Sequence, residues 1–215
     1  MYAARAARGA RARGEPVPGG VPGSGENRAA EVVRKNERSR EMINELALLS
    51  ALKEEWKGAG YTVGRTREEL LLKGIGWTLR CTMEVLPRKV LALLVEHLGE
   101  IPGGGDCWNV SKKSGSQTAI LQVADTEFQE AMGAQGNKAA PTRLTFGGWR
   151  VWQEEESLRV LLMNEDLTSI VVLPKDSEAR ATRRGIVKDA GPDVLQVAAE
   201  AEPPEAEYLE SVQWK

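Results

Sequence analysis

The chain has 215 residues, 41% hydrophobic and 5% aromatic, with 29 Lys and Arg against 31 Asp and Glu for a formal charge of -2. That length fits one domain with extensions, and no apolar run approaches the roughly 18 residues of a membrane helix. Two cysteines exclude a disulfide-built scaffold and a four-ligand zinc site, and a single histidine, His97, excludes most histidine-based catalysis.

Residues 1–27 carry four Arg and two Glu. Arg5, Arg8, Arg11 and Arg13 lie among alanines, and a Pro/Gly-rich stretch with almost nothing to bury follows. The segment is expected to be a disordered Arg/Gly/Pro-rich arm. Three uses stay open: a solvated terminus, an arginine-rich arm for phosphates, or an organelle transit peptide over residues 1–14 of an otherwise intracellular protein. Residues 28–76 form a predicted helical extension. No Pro or Gly interrupts Asn27 to Lys57, Asn27 caps the start, and Gly58 and Gly60 stop it. Met42, Leu46, Leu49, Leu52 and Trp56 form an apolar stripe that docks on the chain's own domain or joins a second copy as a short coiled coil. A second helix is predicted from Thr66, with Glu69 completing a capping box, over REELLLKG.

The pattern then alternates. Trp77–Met83 reads as a strand, and PRKVLALLVEHLG reads as a helix opened by Pro87 and closed by Gly99. After the Gly103–Gly105 run come strands Cys107–Lys112 and Gln117–Ala124 joined by a KSGS turn, then a helix from Asp125 or Thr126. RLTF and WRVWQ, either side of Gly147-Gly148, read as one strand in two pieces. The expected fold class is α+β: a ferredoxin-like βαββαβ domain, the α/β plait, with two helices on one face of a four-stranded sheet. An extra β-hairpin follows at Leu158–Met163 and Thr168–Leu173, so the domain runs over 77–173. Residues 155–215 hold seven basic and thirteen acidic groups, and from Pro174 to 215 a disordered acidic tail is expected, with short helices around 178–188.

Over residues 77–154 the chain resembles the RNA recognition motif. TLRCTMEVLP is similar to that family's first strand, LALLVEHLGEI to its first helix, KKSGSQTAILQVADTEFQEAM to its hairpin, third strand and second helix, and FGGWRV to the turn into its last strand. The resemblance implies RNA binding by bases stacked on the sheet. The family's stacking positions fall on Arg80, Thr118 and Ile120, none of them aromatic. The outer face then also carries Gln122, with Arg150 and Trp152 able to stack, and the hairpin offers Lys112 and Lys113 for phosphates. A helix ahead of such a domain also resembles, in layout, the RNA-packaging protein of LINE retrotransposons and gag-like particle proteins.

No catalytic set is legible. Cys81 and Cys107 have no readable base nearby, GGGD at 103–106 lacks the ending of a phosphate loop, and Glu154-Glu155-Glu156 is a solvated charge run. His97, in the last turn of its helix, reads as a cation stabilised by the helix dipole. The expectation is a non-enzymatic binder of RNA or another single-stranded nucleic acid, without cofactor, metal or membrane, acting through Arg80, Lys112, Lys113, Thr118, Ile120, Arg150 and Trp152. The alternative is a protein-interaction scaffold, gag-like in layout, using the helix and the sheet face, with homo-oligomers formed through helix 28–57.

Overall fold

The computed structural model describes residues 42–119, 136–183 and 185–199. In chain order they form α1 (Glu45–Lys57), β1 (Tyr61–Arg65), β2 (Glu69–Gly74), β3 (Trp77–Thr82), α2 (Arg88–Leu98), β4 (Cys107–Ser111) and β5 (Gly115–Thr118). Then follow β6 (Lys138–Phe146), β7 (Trp149–Glu154), β8 (Val160–Asn164), the one-turn α3 (Glu165–Thr168), β9 (Ala179–Thr182), β10 (Gly185–Asp189) and β11 (Val194–Ala199). All eleven strands join one sheet in the order β5-β4-β1-β2-β3-β11-β10-β9-β6-β7-β8, and every adjacent pair is antiparallel.

This overturns the ferredoxin-like βαββαβ fold, and with it the α/β plait. Four local causes account for the difference. The leucine run Leu70-Leu71-Leu72 is buried on both faces of strand β2 rather than along one side of a helix. In this same segment, half of the expected cap is present but serves a hairpin: Thr66 Oγ1 accepts from Glu69 N at 3.1 Å, and Thr66 N donates at 2.9 Å to the Glu69 backbone O, not to its carboxylate, turning β1 into β2. Gly147 and Gly148 have φ of 55° and 87°. Two successive positive φ values make the tight turn of a two-residue hairpin, so RLTF and WRVWQ belong to two antiparallel strands, with Phe146 opposite Trp149.

The third cause lies in residues 174–199. The part of the expected acidic tail up to Ala199 supplies β9, β10 and β11, which occupy the middle of the sheet. The fourth concerns 168–173, which is no hairpin strand: after α3, Val171 meets Ile43 in an isolated bridge, with Asn44 N on Ile170 O and Val172 N on Met42 O, both at 2.8 Å. The same bridge holds 42–44 extended, so no single helix runs from Asn27 to Lys57. Asn44 caps α1 instead, its Oδ1 accepting from Ala47 N at 3.3 Å. At 13 residues α1 falls short of two heptads, and Leu48 and Leu52 bury their stripe against the chain's own sheet, with only Leu46 fully outside. The expected helix from Asp125, strand residues 120–124, and the segments 1–41 and 200–215 lie outside the described residues.

Strand β3 and helix α2 form where the sequence places them. Pro87 stands just before α2, and Gly99, with φ 85°, ends it. Helices α1 and α2 cover one face of β1 to β4, burying Leu48, Leu52, Val63, Leu72, Leu79 and Leu94, each worth about 1.5–3 kcal/mol of apolar burial. Further along, Trp152, Leu161, Met163, Ala181 and Ile186 form a second cluster. Leu71, Val187 and Leu195 form a third on the opposite face. Gln196 joins the halves: fully buried, it donates to Leu167 O at 2.6 Å and accepts from Val171 N at 3.2 Å.

Candidate nucleic-acid interface

The sheet scatters the residues expected to read RNA. Arg80 lies on β3, partly exposed and ion-paired to Glu69 at 3.4 Å. Register pairs it with Leu71 and Leu195, on the face away from the helices. Arg150 and Trp152 lie on β7, with four strands between it and β3, and their face carries the second core cluster. Trp152 is 5% exposed and packs inside that cluster, and Arg150 is ion-paired to Glu165. Thr118 is exposed at the end of edge strand β5, and Ile120 and Gln122 lie outside the described residues. No sheet face therefore gathers Arg80, Thr118, Arg150 and Trp152 into one stacking surface.

Lys112 and Lys113 do join a cluster, with partners far from them in sequence. They form the exposed β4–β5 turn, and Lys112 N donates to Trp56 O at 2.9 Å, which sets the turn against the last turn of α1. Lys53 and Lys57 flank Trp56 on that helix, both exposed. Trp56 stacks on His97 of α2 with ring centroids 4.3 Å apart and planes 9° from parallel. Tyr61 of β1 closes the other side, its hydroxyl 2.8 Å from His97 Nδ1 and its ring tilted, 6.0 Å from the imidazole. Trp56 and His97 are both partly exposed. Four exposed lysines thus sit on the two segments that meet at the stacked rings: Lys53 acts on His97, Lys57 follows Trp56, and Lys112, next to Lys113, is hydrogen-bonded to Trp56 through the backbone.

The electrostatics select a neutral imidazole. Burial lowers the His97 pKa from its ordinary 6.5, Glu96 pushes it up, and Lys53 pushes it down again. Burial drives the Tyr61 phenol upward, so the tyrosine keeps its proton and its hydroxyl shares one hydrogen bond with Nδ1. His97 is then an uncharged stacking surface whose tautomer is set by the direction of that bond. The expected helix-end cation is outweighed by desolvation against Trp56. Sequence reasoning placed Trp56 in a buried stripe and missed this site; the legible signal was Lys53 and Lys57 bracketing Trp56 at helical spacing.

Among the described residues, no group of three or more His, Cys, Asp or Glu is placed to hold a metal, and no helix is long and apolar enough to cross a membrane. Cys81 and Cys107 are buried. Burial, reinforced by Glu69, pushes the Cys81 thiol up to about 12, far from a reactive thiolate.

No protein-family profile matches the chain, and no curated protein sequence matches it. Among solved structures, a DNA polymerase III beta subunit from Thermotoga maritima aligns at 12% identity and TM-score 0.33, over 78% of this chain and 66% of that one. A putative DNA polymerase III beta subunit from Eubacterium rectale aligns at 9% identity and TM-score 0.32, over the same shares. The likeness is remote, and the match spans about two thirds of the length of either neighbour.

Proposed function

We propose that the protein is a non-catalytic binder of single-stranded nucleic acid, RNA in the first instance, and that it grips the strand at the Trp56–His97 stack rather than on a sheet face. The observation that carries this reading is the meeting of two lysine-bearing segments, with Lys53 and Lys57 on one and Lys112 and Lys113 on the other, all exposed, at two partly exposed stacked rings. A base continuing such a stack contributes about 1–3 kcal/mol. Each phosphate neutralised by a lysine steepens the salt dependence of single-strand binding by about 0.7 in log K per log salt. Sequence-tolerant binding follows, because stacking and phosphate contact do not read base edges.

The test is a titration of the full chain with a mixed-sequence fluorescent single-stranded RNA across a salt series. Lys112→Glu with Lys113→Glu, both exposed, should weaken binding at low salt by more than tenfold and lower the slope by about 1.4. Unchanged affinity and slope overturn the assignment of the site. If binding in either protein instead disappears on removal of residues 1–41, which carry nine basic and five acidic groups, the function belongs to that arm.

A second reading, a protein-docking module, has its own observation. Strand β5 is a sheet edge on which all four residues are exposed, and an extended segment of another chain adds to such an edge by main-chain hydrogen bonds. Under that reading the RNA titration is flat for every variant.

A further inference from the structure

Beside the second cluster, over the Trp152 ring, lies a polar group that the nucleic-acid reading does not use. Lys188 lies on β10 and sends its side chain toward the α3 segment, where Nζ donates to Thr168 O and to Val171 O, the latter at 2.8 Å. A lysine ammonium has three donors, and among the described residues the third has no protein acceptor. The ammonium also stands 5.6 Å from the centre of the Trp152 ring, a cation–π contact. Trp152 is 5% exposed, and its indole Nε1 is buried with no hydrogen-bond partner among the described residues. An orphaned buried donor costs about 1–3 kcal/mol.

Both residues line one cavity of about 320 Å³, at the small end of the roughly 300–1,000 Å³ of ligand pockets. Pro141, Leu173 and the indole give it apolar walls. Three more charged groups line it: Lys138 and Glu178, paired with each other at 2.8 Å, and Glu155. The cavity therefore combines an apolar lining with two donors short of an acceptor, one of them cationic.

We propose that this cavity binds a small monocarboxylate with an apolar body, its carboxylate accepting from Lys188 Nζ and Trp152 Nε1 and its body lying against Pro141 and Leu173. A carboxylate satisfies both donors at once, since it has two acceptor oxygens and a negative charge opposite the buried ammonium, and the apolar walls suit a body attached to it. The burial of the lysine agrees. Burial, with no carboxylate offsetting it, brings its pKa from 10.5 to about 8, so a bound anion relieves a cation held in an apolar setting. Lys138 is already satisfied by Glu178, which raises its pKa, and does not compete for the ligand.

Benzoate and its uncharged isostere benzamide serve as the probes. The full chain, labelled with ¹⁵N, is titrated with each while the indole N–H resonance of Trp152, identified by its loss in Trp152→Phe, is followed. The expected result is a saturable shift of that resonance with benzoate at an affinity at least tenfold above that of benzamide. Lys188→Met should abolish the preference while the other indole resonances stay in place. An unmoved Trp152 resonance, or equal affinity for the two probes, overturns the proposal. Because that comparison uses the unaltered chain, it decides the matter even if Lys188→Met does not fold.

Discussion

At His97 two influences oppose each other. The helix C-terminus favours an imidazolium, worth about 0.3–1 kcal/mol at an exposed end, whereas stacking against Trp56 removes the ring from water. Desolvation is the larger, and the folded-state pKa lies below the ordinary 6.5. Below that pH the unfolded chain takes up this proton more readily than the folded one. Stability is therefore lost as pH falls from 6.5 through the folded-state value, and above 6.5 the residue has no effect on the slope. His97→Phe keeps a ring against Trp56 and removes the titration. Its urea midpoint should fall less than that of the parent between about pH 7.5 and about pH 5.5. An equal fall in both proteins means His97 is not neutral in the fold. The position of His97 in a helix was legible in the sequence; its neutrality was not, because Trp56 lies 41 positions away in sequence.

Among the elements, those bounded by strong local signals formed as read. Strand β3 alternates Leu79 and Cys81 inward, and α2 lies between Pro87 and Gly99. A short apolar run such as Leu70-Leu71-Leu72 is ambiguous, since periodicity cannot separate a strand buried on both faces from a buried helical turn. The β6–β7 hairpin was written in the Gly-Gly pair, whose positive φ values tie the turn to glycine. Nothing lies within 4 Å of a Cβ built on Gly147, so a substitution there strains only the backbone. Gly147→Val should lose about 1–2 kcal/mol in urea unfolding, and Gly147→Asn much less, because asparagine tolerates the left-handed region. Equal losses from both would mean the turn is not held at positive φ.

For the whole molecule, the order of the sheet decides what depends on what. Strand β11 sits between β3 and β10, so the last described strand joins the β1–β5 half to the β9, β10 and β6–β8 half. Gln196 ties it to the 167–171 segment as well. Truncation after Asp193 removes the strand that both halves share and exposes the edges of β3 and β10. Far-UV circular dichroism with heating should then show loss of the single cooperative transition, whereas truncation after Ala199 should keep it. Retention of that transition by the shorter chain would mean the two halves fold independently.

Charge at this scale also differs from charge along the chain. The described residues carry eighteen basic and eighteen acidic groups, yet folding joins at Trp56 the two segments that carry four of the lysines. The sequence alone determined the local grammar: where β3 and α2 lie, that a turn follows β4, and that Thr66 and Glu69 bond locally, though in a hairpin and not at the start of the helix expected there. It could not determine which strands pair, because a strand buries its apolar residues equally well against any neighbour of matching register. The averaged acidity of 155–215 also hid the strands at 179–199. Partner choice across the sheet, made by long-range packing, is what placed Trp152 in a core beside Lys188, parted it from Arg80, and brought α1, α2 and the β4–β5 turn together around His97.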